Sequence, residues 1–274
     1  MRGVPVRDAV DSATVAIGAS GSDTARLDAE VLLAHVLGVD RAHLYLNPDV
    51  VVEGAAVRAF QDLVRRRSLG REPVAYLIGR RGFRNLELEV DSRVLIPRPE
   101  TETLVEVGLE LPQGARVVDV GTGSGALALA LKDERPDLDV LATDVSPGAL
   151  EVARANARRL GLDVTFLQAD LLEGVPDVDA VLSNPPYVAE ADRATLQREI
   201  TDHEPDVAVF GGEDGFAVVG RLVAQAAATP ATLVALEIGA GQAPEVARAL
   251  REAGFDTALR RDLAGIERVV VGRR

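Results

Sequence analysis

The chain has no cysteine and no tryptophan, a single methionine and three scattered histidines in 274 residues. Without cysteine there is no disulfide, thiol nucleophile or thiolate metal site, and three separated histidines make no recognisable zinc set; no metal is expected. Aromatics are 3% of a chain that is 47% hydrophobic, so Ala, Val and Leu have to fill the core. No apolar run approaches the ~20 residues of a membrane helix. The N-terminal stretch, with Arg2, Arg7 and Asp8, lacks the apolar segment of a signal peptide. A soluble, cytoplasmic protein is expected, with no membrane partner. Positive charge is scarce: 30 Lys and Arg against 43 Asp and Glu leave a net −13. Such a surface repels phosphate backbones, which disfavours nucleic acid as the main partner and leaves a basic protein easier to accommodate.

Residues 1–80 read as a helical module. Asp23 is placed to cap a helix in which Leu27, Val31, Ala34 and Gly38 share a face, with Leu33 and Leu37 widening the stripe and Gly38 ending it. A short helix follows at Arg41–Leu46. A third, near Glu53–Leu69, carries Arg65, Arg66 and Arg67 in its last turns, where cations oppose the negative end of the dipole. That triplet reads as a solvated helix end in preference to a docking contact. Residues 81–96 read as a linking β-hairpin: Leu86, Leu88 and Val90 alternate with polar neighbours, Asp91-Ser92 turns, and Val94-Leu95-Ile96 resumes. From 97 to 274 strands and helices alternate, which predicts an α/β, Rossmann-like, doubly wound and mainly parallel sheet.

The candidate chemistry sits where these strands end. Gly121, Thr122, Gly123, Ser124 and Gly125 follow the strand Arg116–Val120 and open a helix. Glycines there let the backbone approach a ligand, and the helix N-terminus offers free N–H groups. Asp144 ends the second strand, where an acid accepts ribose hydroxyls. The loop also fits the relaxed dinucleotide fingerprint, so it does not by itself separate nicotinamide from S-adenosylmethionine. Asp170 ends the third strand. The fourth runs into Asn184-Pro185-Pro186-Tyr187. Neither proline has an N–H, so the backbone presents carbonyl acceptors, Asn184 adds a side-chain carbonyl, and Tyr187 adds a flat face. The set suits a planar group that carries an NH2. Taken alone, Asn-Pro-Pro is more often a plain turn.

The motifs Glu72-Pro73-Val74-Ala75-Tyr76-Leu77-Ile78-Gly79, Leu95-Ile96-Pro97-Arg98-Pro99-Glu100-Thr101-Glu102, the glycine loop, Asn184-Pro185-Pro186-Tyr187 and Phe210-Gly211-Gly212-Glu213-Asp214-Gly215 occur in order, with Asp262–Arg268 near the C-terminus. Together they resemble the HemK/PrmC family of release factor glutamine N5-methyltransferases. The resemblance implies a class I S-adenosylmethionine methyltransferase sheet and a helical domain that docks peptide chain release factors. It implies methyl transfer to the glutamine of their Gly-Gly-Gln loop. It assigns the methionine part of the cofactor to Gly121–Gly125, the ribose to Asp144 and the adenine to Asp170 with Leu171. Asn184 and Pro185 would hold the reacting amide, with Pro186 and Tyr187 completing the substrate site. His203 departs from the pattern, standing where tyrosine is expected. Asn-Pro-Pro-Tyr is also shared with amino-methyltransferases of DNA and RNA, and related enzymes modify a ribosomal-protein glutamine; both remain alternatives, as does a non-catalytic nucleotide-binding module.

Overall fold

The computed structural model describes residues 3–274 and divides into two compact units. The first holds the residues up to Gly79 together with Gln197–His203; the second holds Arg80–Leu196 and Glu204–Arg274. In the first unit, helices Val6–Gly18, Ala25–Leu37 and Ala55–Leu69 surround a core of Ile17, Leu32, Leu33 and Phe60. Two short helices, Arg41–Leu46 and Val74–Ile78, and a small antiparallel pairing of Val4–Pro5 with Val51–Val52 complete it.

Several expectations change here. The helix Val6–Gly18 was not anticipated. Thr24, not Asp23, is the N-cap of the second helix, and its hydroxyl donates to Asp28 Oδ1 at 2.8 Å. Gly38 does end that helix, at φ +66. The buried face, however, is turned away from Leu27, which is exposed, toward Asp28, Ala29, Glu30, Leu32 and Leu33. Two carboxylates lie on that face because each finds partners remote in sequence. Glu30 accepts from Arg41 at 2.7 Å and from the Tyr45 hydroxyl at 2.6 Å. Asp28 accepts from Arg67 at 2.7 Å.

Arg67 itself corrects the reading of the arginine triplet as a solvated end. It is buried, and it also donates to Glu199 at 2.6 Å and to Ser22 at 3.1 Å. Arg65 stays on the surface beside Asp62, and Arg66 pairs with Glu72. His203 donates from Nε2 to the Gly70 carbonyl at 2.7 Å.

The second unit opens with an antiparallel hairpin, but one turn earlier than expected. Arg80–Phe83 pairs with Leu86–Glu89, Arg84 takes φ +50 in the turn, and Val94–Ile96 belongs to no strand. Behind it lies a seven-stranded sheet. We number its strands β1 (Arg116–Val120), β2 (Asp139–Asp144), β3 (Thr165–Gln168), β4 (Ala180–Ser183), β5 (Leu233–Glu237), β6 (Asp256–Arg261) and β7 (Glu267–Arg273). Their order is β6-β7-β5-β4-β1-β2-β3, parallel except for β7, which runs antiparallel to both neighbours.

Strands of a sheet covered on both faces read as continuous apolar runs, and successive residues point to opposite sides. Val117, Ala142, Leu182 and Ala235 accordingly pack on one face with helices Glu102–Leu109 and Ala126–Glu134. Val118, Leu141, Val181 and Leu236 pack on the other with Ala217–Ala227 and Ala243–Glu252. Short helical turns at Glu190–Thr195, Arg198–His203 and Asp206–Val209 carry no long apolar stripe and escaped the sequence reading.

Candidate active site

Parallel register brings the candidate residues together. Val120 of β1 lies opposite Thr143 of β2 and Ser183 of β4, so the next residues, Gly121, Asp144 and Asn184, come side by side at this end of the sheet. Gly121 and Thr122 donate their backbone N–H groups to the Thr143 carbonyl, both at 2.9 Å, which folds the loop over the end of β2. Gly121, Gly123 and Gly125 take φ of +74, +56 and +86. A Cβ at Gly125 would press on the end of the Leu129 side chain at 2.9 Å, and the positive φ is what calls for glycine there. Gly123 N–H donates to Asp144 Oδ2 and Ser146 N–H to Asp144 Oδ1, each at 2.9 Å. Burial pushes the Asp144 carboxyl up, and these backbone bonds oppose it. With the Val145 N–H as a further donor, the carboxylate still has acceptor capacity left for one more.

Gly121, Gly123, Asp144, Ser146 and Asn184 line a cavity of about 330 Å³, together with Thr101, Asp170, Leu171 and Pro186. Thr122 and Ser124 line it as well but are themselves largely buried. Asp170 is ion-paired with Arg221 at 2.6 Å, and Leu171 is held at φ +59 while its carbonyl accepts from Thr143 Oγ1. Gly125, Pro185 and Tyr187 are not in the cavity wall.

Asn184 Nδ2 donates to Thr101 Oγ1 at 3.1 Å. Among the described residues none donates to Asn184 Oδ1 or to the Pro185 carbonyl. The backbone beyond is fixed by the glycine motif at 210–215. Val188 N–H donates to Val209 O, Gly211 N–H to Val188 O, and Glu190 N–H to Gly212 O. A Cβ on Gly211 would fall 2.4 Å from the Pro186 carbonyl and one on Gly215 2.3 Å from that of Tyr187, so only glycine permits this approach. Tyr187 turns its ring toward Gly239, and its carbonyl accepts from Gln242 at 2.9 Å. Burial pushes its hydroxyl up to about 12, and Glu237 adds to the effect.

Four polar residues around the cavity were not anticipated as site residues. Asp119 is buried under the glycine loop, accepting from the Thr122 hydroxyl at 2.6 Å and from Ala128 N–H at 3.2 Å; burial pushes it up to about 7. Thr101 meets Asn184. Arg98, in the cavity wall, pairs with the buried Glu204 at 2.6 Å. Glu237 ends β5 and is 1% exposed. Burial pushes Glu237 up to about 7 despite hydrogen bonding from Thr101. A charged residue closing the apolar run Leu233–Leu236 was the available signal for it.

A seven-stranded sheet in this order, with a glycine loop after the first strand and an acid after the second, defines the S-adenosylmethionine-dependent methyltransferases, and the cofactor is S-adenosylmethionine. The methyltransferase small domain model matches residues 99–228, and a methyltransferase from Pyrococcus furiosus shares the fold at TM-score 0.53 and 18% identity, over 69% of this chain and 88% of that one. The PrmC N-terminal domain model matches residues 8–79. The release factor glutamine methyltransferase of Deinococcus radiodurans is 43% identical over 98% of both chains. That of Mycolicibacterium smegmatis is 47% identical over 81% of this chain and 79% of its own. The chain belongs to the release factor glutamine methyltransferase family.

Proposed function

We propose that this enzyme methylates the side-chain amide nitrogen, N5, of the glutamine in the Gly-Gly-Gln loop of peptide chain release factors. We place the reaction in the cytoplasm, in translation termination. The observation that carries the reading is the Asn184 amide. Its donor end is engaged by Thr101, while Oδ1 and the Pro185 carbonyl have no donor among the described residues.

An amide nitrogen is a weak nucleophile because its lone pair is delocalised into its carbonyl. Asn184 Oδ1 and the Pro185 carbonyl each accept one N–H of the substrate amide, which fixes the nitrogen and favours the positive charge that develops on it. S-adenosylmethionine supplies a sulfonium methyl: an N–C bond forms as C–S breaks, the electron pair goes to sulfur, and the proton shed by nitrogen goes to solvent. Holding the two reactants in line contributes on the order of 7–11 kcal/mol. Gly121–Gly125 hold the methionine part, Asp144 the ribose through its remaining acceptor capacity, and Asp170 with Leu171 the adenine. Tyr187, with its ring against Gly239, acts as a wall of the substrate site together with Pro186.

The helical residues 1–80 dock the release factor in this reading. A nucleic-acid base as substrate is disfavoured by the net charge of −13. Mass spectrometry of a release factor incubated with enzyme and labelled S-adenosylmethionine tests the proposal: a single methyl on the Gly-Gly-Gln glutamine is expected, and label elsewhere or nowhere overturns it.

A further inference from the structure

Arg98 stands in the wall of the cavity, and the chemistry described above gives it no part. Its guanidinium donates from Nη2 to Glu204 Oε1 at 2.6 Å, while Nε and Nη1 have no hydrogen-bond partner among the described residues. Most of the five N–H groups of this side chain are therefore open to a ligand. Glu204 is 2% exposed at its side chain, and its Oε2 has no partner among the described residues. The pair fixes one edge of the guanidinium and leaves the rest to the cavity. Two other arginines share the wall, and both are tied to acids elsewhere on it or beyond it. Arg93 uses Nε and Nη2 on Asp91 and Nη1 on Glu151. Arg221 pairs at 2.6 Å with Asp170, the acid read as holding adenine. Arg98 instead belongs to the reacting end. Its carbonyl accepts from Thr101 N–H at 3.2 Å, and Thr101 Oγ1 accepts from Asn184 Nδ2.

We propose that Arg98 binds the carboxylate of the cofactor's methionine part, with Glu204 holding the guanidinium in place. This rests on the proposed placement of that methionine part on Gly121–Gly125. S-adenosylmethionine carries one anionic group, an α-carboxylate. The cavity it enters already holds Asp144, which is hydrogen-bonded by backbone N–H groups and ion-paired with no cation among the described residues. A carboxylate taken out of water beside another acid needs a cation that also donates hydrogen bonds. The N–H groups of the glycine loop supply partial charge only. Arg98 supplies a full charge, with donors in a fork that matches the two oxygens of a carboxylate. It is also held in advance: a guanidinium anchored by Glu204 loses less side-chain freedom on binding than a free one does.

Calorimetry on the full-length enzyme compares S-adenosylmethionine with its decarboxylated analogue, which lacks only the carboxylate. Thermal unfolding checks that each variant is folded. The wild type is expected to bind the analogue on the order of 10–10²-fold more weakly, the scale of a lost hydrogen bond to a charged group. Arg98→Gln should lose a similar factor for S-adenosylmethionine and almost nothing for the analogue, so that the two ligands bind alike. Arg98→Lys, which keeps the charge without the fork, should fall between. Asp144→Ala should weaken both ligands, since both carry the ribose. Equal affinities of the wild type for the two ligands overturn the inference. So does an Arg98→Gln loss shared by both ligands, which marks a structural role, or one confined to the KM for a release factor, which marks a substrate contact. Because Arg98→Gln strands Glu204, the double variant Arg98→Gln, Glu204→Gln is measured beside it; should neither fold, the wild-type comparison decides alone. If Asp144→Ala leaves both affinities unaltered, it is the placement of the cofactor that fails. If Asp144→Ala weakens both and Arg98→Gln spares S-adenosylmethionine, only this inference does.

Discussion

The two units bury charge differently, although the sheet unit too closes one buried acid, Glu204, with a cation, Arg98. In the helical unit the buried acids are closed by cations: Glu30 by Arg41 and Arg26, Asp28 and Glu199 by Arg67. The two fully buried carboxylates there, Asp28 and Glu30, are each satisfied by an arginine of the same unit. In the sheet unit Asp119 is buried with a hydroxyl and an N–H as its donors, Glu237 is buried with no ion pair among the described residues, and Asn184 and Asp144 keep acceptor capacity open at a cavity. Burial of a polar group therefore does not mark a site. An acceptor left over after its neighbours are satisfied does, because only that one has something to offer a ligand.

The largest effect expected from breaking this contrast is in the helical unit. Arg67→Ala strands Asp28 and Glu199, and loss of one partner of a buried ion pair costs about 3–5 kcal/mol. Urea unfolding followed by circular dichroism should lose that much, while cofactor binding by the folded fraction is kept. A change under about 1 kcal/mol, the range of surface pairs, would mean that the network is not a buried one.

Next in size is Asn184→Ala, with kcat expected to fall 10²–10³-fold, roughly 2.7–4 kcal/mol, at unchanged stability. Near-normal turnover by the folded variant would reduce the Asn-Pro-Pro-Tyr stretch to a structural turn. Asp144→Ala should weaken S-adenosylmethionine by roughly 1.5–3 kcal/mol, the worth of hydrogen bonds to a charged group, and calorimetry reads this directly. Unaltered affinity would remove Asp144 from the ribose site.

The gentlest probe is pH, where the units should respond with opposite sign. Burial raises Glu30, but the bonds from Tyr45 and Arg41 outweigh it and hold the carboxyl below its ordinary 4.5. The stability it contributes is present above pH 4.5 and lost as pH falls through its lowered value. Asp119 stands at about 7 against an ordinary 3.8, so the folded state keeps a proton that the unfolded chain has released. Its contribution is full below pH 3.8 and lost as pH rises through 7. Asp119→Asn should flatten the decline in stability between pH 4 and 7; an unchanged slope would show that Asp119 ionises freely.

Sequence by itself determined whatever depends on neighbours along the chain. The strand and helix alternation of the sheet unit was legible because short apolar runs ending in glycine, proline or an acid are local signals. The glycine loop, Asp144, Asp170 and Asn184 could be placed at strand ends for the same reason. The short helical turns between residues 190 and 209 were not legible, having no periodic stripe to announce them. Nor was the hairpin register, which depends on whether Arg84 or Ser92 takes the turn, when both are flanked by alternating residues. Only the tertiary structure decided that Arg67 is buried, since its partners lie 39 and 132 residues away. It alone decided which way the Asn184 amide faces, because Thr101, 83 residues earlier, takes its donor end. A side chain's type is written in the chain, but which of its lone pairs remains open depends on partners that only folding brings within 3 Å.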